Sequence, residues 1–371
     1  MAKLFMKKNI LFFAEVGKTK FSSKASEELL KNLCLNLSKK IGDKFVEIYF
    51  YPIFDLSNFK KWFFNYKKQS STKNNFIYLS SSSIKLLRDF IYIFNIVIKS
   101  IKNKSSIIII YNLNKFQLNL LFLFKFLMPS KISFIQADGF LLKNYEINIF
   151  DEVFVFSEYL YNNYRFLNQN VKINYCLPFV NRQLISKNKL IVKKTFKKDK
   201  FEYLIHCGSI SEYSLSELKL KKLGKFCEKN NKYKVLFTSS QLEVPDYFKR
   251  KLNEYSKYFI YYNNLQEEEL LSLIEFSDYG LDLRDSDCFN SYIDFPSKLI
   301  IYFTNNLPVI STYSKSIPGN FKKIILNFDN LEDLKKINDK DFNEKKFIDV
   351  KKFIRAKALD TTILNSLKIR I

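Results

Sequence analysis

A chain of 371 residues with 47% hydrophobic and 17% aromatic side chains has material for about two packed cores, which excludes a disordered polypeptide. A formal charge of +24 should attract anionic surfaces or phosphate-bearing ligands, although lysine crowded among Asn, Ile, Phe and Tyr is also what an AT-rich coding sequence produces. Five scattered cysteines with no CxxC pair exclude a disulfide framework and a zinc ribbon, and they fit a reducing cytosol.

In chain order, Lys8–Phe13 reads as a first strand that runs into Glu15 without the small-residue cleavage site of a signal peptide. Ser26–Lys40 reads as an amphipathic helix with Leu29, Leu30, Leu33, Leu35 and Leu37 inward. Phe45–Tyr51 is a second strand, Ser57–Asn75 is aromatic and basic, and Ser80–Ser83 reads as a loop. Ile84–Ile98 is a helix, Ser106–Tyr111 a buried strand, Lys115–Phe126 a helix and Lys131–Gln136 a strand opening onto Asp138-Gly139. The most lipid-like runs, Phe90–Ile98 and Leu118–Met128, fall well short of the roughly 20 residues needed to span a bilayer, which leaves peripheral attachment open. Lysine-rich Arg182–Lys200 reads as an interdomain linker, and the chain after Asn330 as mostly helical.

The stretch Tyr261–Thr312 is the most informative. Gln266–Phe276 places Leu270, Leu271, Ile274 and Glu275 at helical spacing behind an acidic first turn. Tyr279–Leu283 follows as a strand, then a polar loop, then a helix with Pro296 in its first turn that stops at Asn305-Asn306, then the strand Leu307–Ser311. That order is the grammar of a doubly wound parallel sheet, in which ligands bind at the carboxyl ends of the strands.

On these residues the block resembles the donor-binding half of GT-B-fold glycosyltransferases of the family 4 (group 1) type. Phe295, Pro296, Ser297, Lys298, Leu299, Tyr302, Pro308, Val309 and Ile310 fall in order on the family's FPSK…PVI pattern. The strand and glycine turn FEYLIHCGSIS at Phe201–Ser211 resembles the opening of the donor domain, and DEVFVFSEY at Asp151–Tyr159 with NYCLPFVN at Asn174–Asn181 resembles the end of the acceptor domain. The chain departs from the pattern at Ile301, where family members usually carry a glutamate that pairs with the ribose hydroxyls, at Ile293, where many have a partner to it, at Ser209, where arginine is usual, and at Asn306, where a small residue is usual. The resemblance implies an α/β protein of two Rossmann-like domains facing each other across a cleft. It divides the chain into an acceptor-binding domain 1–182, a linker 183–200, a nucleotide-sugar-binding domain 201–345 and a helical segment 346–371 that packs back on the first domain.

The chemistry expected of such a site can be assigned to residues. Ser297 and Lys298 would meet a diphosphate at a helix start, with Ser297 as a simple cap the plainer reading. Gly208 and Ser209 form a second clamp or an ordinary turn, while Asn290 and Asp294 could meet ribose or sugar hydroxyls in place of the missing glutamate. Asp138 is the candidate general base for an inverting transfer, against an Asp-Gly turn that only shapes a loop; a retaining enzyme needs no such base. The one histidine, His206, sits inside an apolar strand and reads as a buried, hydrogen-bonded residue rather than a catalyst. Gly17-Lys18-Thr19 lacks the earlier glycine of a phosphate loop, since Phe12 stands there; the resemblance instead implies that Gly17 and Lys18 lie on the acceptor side. Phe59–Lys68 interleaves basic and aromatic residues in a manner suited to a membrane surface, a stacked sugar or a single strand, but no nucleic-acid fold signature accompanies it.

The expected function is transfer of a sugar from a nucleotide-sugar to a glycan or lipid-linked saccharide in cell-surface polysaccharide synthesis. No metal and no cofactor is required beyond the donor, the partners include an anionic membrane surface and no nucleic acid, and the location is the cytoplasm or the inner membrane face. The alternative is a GT-B-shaped glycan- or partner-binding protein without turnover, for which Ile301 and Ser209 are the evidence.

Overall fold

The computed structural model describes residues 10–17, 33–37, 39–41, 46–53, 76–78, 85–104, 106–137, 140–178, 200–286, 288–312, 315–322, 324–329, 331 and 344–366. The chain forms two compact units, Met1–Phe179 with Lys357–Ile371, and Val180–Ala356. The helix Glu344–Lys357 therefore belongs to the second unit up to Ala356, and the chain enters the first unit again at Lys357.

The first unit is built on seven strands: β1 Ile10–Gly17, β2 Val46–Ile53, β3 Phe76–Tyr78, β4 Ile107–Tyr111, β5 Lys131–Gln136, β6 Glu152–Val155 and β7 Lys172–Tyr175. They lie in the order β3-β2-β1-β4-β5-β6-β7, and every pairing is parallel. β4 shows why: Ile108, Ile109 and Ile110 are consecutive and all buried, which requires cover on both faces of the sheet. β1 runs beyond Phe13, so Gly17 lies within the strand, opposite Ile53, rather than in a turn after it. In the described part of the helix that precedes β2, Leu33 and Leu37 are buried one turn apart, with Cys34 beside them. Leu35, expected inside, is only partly buried, because it lies about 200° round the helix from Leu33.

The second unit repeats the plan with β8 Glu202–Cys207, β9 Tyr233–Ser239, β10 Phe259–Asn263, β11 Tyr279–Asp282, β12 Val309–Ser311 and β13 Ile325–Asn327, in the all-parallel order β10-β9-β8-β11-β12-β13. Its core gathers Leu204, Leu220, Leu223, Val235, Phe237 and Phe248. The helix after β10 spans Glu267–Phe276, with Leu271, Leu273 and Ile274 buried, Leu270 half-buried and Glu275 exposed. The stretch after β11, expected to be a polar loop, contains the short helix Phe289–Ile293, because Ser291 and Ile293 find burial. Pro296 stands just before the helix Lys298–Thr304 and accepts the Leu299 amide at 2.9 Å. Asn306 ends that helix in the left-handed region with φ 58°, a conformation asparagine tolerates.

Candidate functional site

In the second unit the strand order reverses between β8 and β11, so the crevice beyond their carboxyl ends is the place where an open parallel sheet receives a ligand. β8 is followed by Gly208, whose φ of +110° is one that a side-chain-bearing residue adopts only under strain, and a Cβ there would meet nothing within 4 Å. The next residue, Ser209, is exposed, and its carbonyl accepts from Ser214 Oγ at 2.6 Å. Tyr213 then ties this turn to the end of β11, since its carbonyl accepts the Asp285 amide at 3.0 Å and its hydroxyl accepts from Ser291 Oγ at 3.3 Å.

At the end of β11, Asp282 is 1% exposed and one of its oxygens, Oδ1, faces two cations: Arg284 Nε and Lys298 Nζ, each at 3.4 Å. Burial works to raise the Asp282 carboxyl, but Arg284 and Lys298 overcome it and hold the group below the usual carboxylate range. Burial pushes the Lys298 ammonium down, with Asp282 pulling it back up. His206 on β8 lies wholly buried beside them. Its pKa falls to about 3, through burial first and then the charge of Lys298, so the imidazole is neutral at pH 7. Its Nε2 lies 3.4 Å from the Ser209 carbonyl, and its Nδ1 has no hydrogen-bond partner among the described residues.

Asp282 thus faces two cations, Arg284 and Lys298, while the histidine beside them is neutral. Arg284 is 8% exposed; its Nη1 donates to the Asp294 carbonyl at 2.9 Å, whereas Nε and Nη2 have no hydrogen-bond partner among the described residues. Asp282 pairs with Nε as an ion, which leaves Nη2 as the buried donor for which an added anion would be favourable. Arg284 was not singled out from the sequence, because an arginine two residues beyond a strand aspartate reads as loop polarity. Its one signal was proximity to the block that precedes Phe295–Lys298.

Among the other sequence-derived candidates, Asp294 contributes through its carbonyl at Arg284, and Asn290 is exposed on the short helix. Ser297 is exposed, has helical backbone angles and makes no side-chain capping bond. The helix behind it has only seven residues, so the positive charge here is supplied by Lys298 and Arg284 more than by aligned peptide dipoles. In the first unit, Asp138, Lys18, Phe59–Lys68 and most of the Arg182–Lys200 segment lie outside the described residues. The flanks of Asp138 are described: Tyr164 Oη donates to Gln136 Oε1 at 2.9 Å and accepts the Leu142 amide at 2.9 Å, so both sides of that connection are held by one buried tyrosine. Among the described residues no group of three or more His, Cys, Asp or Glu is arranged to hold a metal ion.

No family model matches the sequence. No curated protein matches it either. Solved structures do. A glycosyltransferase from Rickettsia africae ESF-5 superimposes with a TM-score of 0.70 at 12% identity, over 97% of each chain. WaaG, a glycosyltransferase involved in lipopolysaccharide biosynthesis, gives 0.60 at 11% identity over 97% of this chain and 99% of its own. An E. coli trehalose-6-phosphate protein bound to UDP-2-fluoro glucose gives 0.59 at 11%, again over 97% and 99%. The fold of the chain is that of the GT-B glycosyltransferases, with two Rossmann-like units.

Proposed function

We propose that this chain, having the GT-B fold, transfers a sugar from a nucleotide-sugar to a glycan or lipid-linked saccharide, without a metal, in the synthesis of a cell-surface polysaccharide. The observation that carries the reading is the meeting of two cations, Arg284 and Lys298, on Asp282 at the β8/β11 switch point, where Arg284 Nη2 has no hydrogen-bond partner among the described residues. A diphosphate supplies negative charge and acceptor oxygens suited to a guanidinium.

In the proposed reaction the bond between the anomeric carbon and the diphosphate oxygen breaks, and the acceptor oxygen bonds to that carbon. The electron pair leaves on the nucleoside diphosphate, where Arg284 and Lys298 stabilise the developing charge. The acceptor proton passes to a base, the role proposed for Asp138 if configuration inverts, or to the departing phosphate if it is retained. Gly208 and Ser209 line the donor from the β8 turn, with Asn290 and Asp294 toward ribose or sugar hydroxyls; Gly17 and Lys18 are assigned to the acceptor. A lipid-linked acceptor would place the protein against the inner membrane face.

The test is thermal stabilisation by UDP, GDP or CMP, followed by a screen of nucleotide-sugars for hydrolysis and transfer. A millimolar nucleotide with a dissociation constant near 10 μM should stabilise the fold by about 2.7 kcal/mol. Lys298→Ala and Arg284→Ala should each abolish the shift. A second reading, a sugar-binding protein without turnover, is favoured by Ile301 and Ser209 in the places of the family's glutamate and arginine. It would be selected by the absence of a shift with any nucleotide, which would sink the transfer reaction.

A further inference from the structure

A helix on a globular unit normally turns its apolar stripe inward and its polar side to water. The helix Lys85–Lys102 buries Tyr92, Ile93, Ile96 and Val97, yet the flank next to that stripe is apolar as well: Leu86, Phe90, Phe94 and Ile101 are all exposed. At 100° per residue these four fall within about a quarter of the helix circumference. The adjoining helix Lys115–Phe124 and its 3-10 extension Lys125–Leu127 do the same with Phe122, Leu123 and Phe126, the last 82% exposed. Phe90 and Phe116 join the two helices edge to face, with ring centroids 6.0 Å apart, so the two helices adjoin and each carries exposed apolar side chains. These are the two runs that the sequence marks as lipid-like and too short to span, and no described helix is long and apolar enough to cross a membrane.

The charges around the face have one sign. Lys85, Lys102 and Lys104 stand exposed at the ends of the first helix, and Lys143 lies over the ring of Tyr145, which meets Phe122 edge to face. The carboxylates of the same elements are withdrawn. Asp89 is buried and accepts from Gln117 Nε2 at 2.9 Å and Asn114 Nδ2 at 3.2 Å, while buried Glu146 pairs with Lys115. The exposed Asp151 is engaged by Lys125 at 3.5 Å. A second copy of the chain meeting this face across a two-fold axis would set lysine against lysine. A bilayer with anionic headgroups complements the lysines and takes phenylalanine and leucine into the headgroup–acyl boundary.

We propose that the face formed by residues 85–102 and 115–127 is a docking surface for an anionic lipid bilayer. It deepens the membrane-side reading given above, on which its purpose rests, and names a part of the chain different from Phe59–Lys68. The test is co-sedimentation of the full chain with phosphatidylcholine vesicles, with and without phosphatidylglycerol. The wild type should sediment with the anionic vesicles, less at high salt, and the double variant Phe94→Asp with Phe126→Asp should partition about tenfold less or worse while melting at an unchanged temperature. Phe166→Asp, at an exposed site on the separate helix Glu158–Leu167, adds the same kind of charge and should leave partitioning nearly unchanged. The proposal is overturned if the wild type ignores anionic vesicles, if the double variant binds as the wild type does, if Phe166→Asp weakens binding equally, or if the double variant instead abolishes self-association of the free protein. Vesicle binding without any nucleotide shift would sink the proposed transfer reaction and leave this surface standing; a nucleotide shift without vesicle binding would do the reverse.

Discussion

Asp282 is the residue on which the second unit's site turns, because it compensates two buried cations with one carboxylate. Removing it should hurt more than removing either cation. Asp282→Asn leaves Arg284 and Lys298 facing each other without a counter-ion and should cost about 3–5 kcal/mol, whereas Lys298→Met leaves the Asp282–Arg284 pair and should cost about 1–2 kcal/mol. Urea titrations at one pH measure both, and equal losses would argue that the pairing is not the source of stability. His206 gives a pH prediction whose sign is fixed. Its folded pKa of about 3 lies below the ordinary 6.5, so the unfolded chain binds the extra proton between those values and stability falls as pH drops through that window. Because the sequence holds one histidine, the loss from pH 7.5 to pH 5.5 should be mainly His206, about 1.4 kcal/mol, and His206→Gln should flatten it.

At the scale of the element, the helix Lys298–Thr304 is fixed to the sheet by Tyr302. Its hydroxyl accepts the Cys207 amide at 3.0 Å and donates to the Ile205 carbonyl at 3.2 Å, clasping the last residues of β8 just before Gly208. The ring lies where a Cβ on Gly280 of β11 would be, 2.5 Å from Tyr302 Cδ2, so only glycine lets helix and strand approach this closely. Gly280→Ala should destabilise by about 1–3 kcal/mol through overpacking. Tyr302→Phe should cost about 1–3 kcal/mol by stranding the Cys207 amide, and the double variant should lose less than the sum, since both act on one contact. The FPSK…PVI pattern was legible because it is contiguous; what Tyr302 does there was not, since its partners lie some 95 residues earlier.

On the scale of the molecule, the first unit is made from two separate pieces of chain. Leu177 pairs with Ala358, donating to the Lys357 carbonyl at 2.7 Å and accepting the Leu359 amide at 3.0 Å. The terminal helix Leu359–Ser366 buries Leu359, Ile363 and Leu364, and its Asp360 accepts from Asn36 at 2.6 Å and Lys40 at 3.1 Å. A fragment ending at Phe179 should therefore fold poorly, and appending residues 357–371 should restore a cooperative melt. If the shorter fragment melts as well as the longer, the terminal helix is dispensable.

The alternation of strand and helix, and with it two parallel sheets, was determined by the sequence alone. Apolar periodicity and turn residues act over a few neighbours, so runs such as β4 and β5 declare themselves wherever they are read. The identity of the charged residues gathered at the β8/β11 switch point was decided only by the tertiary structure. Whether Arg284 is solvated or buried beside Asp282 and Lys298, and whether Phe94 and Phe126 face a core or the outside, depends on segments distant in the chain that burial and Coulomb energy bring together.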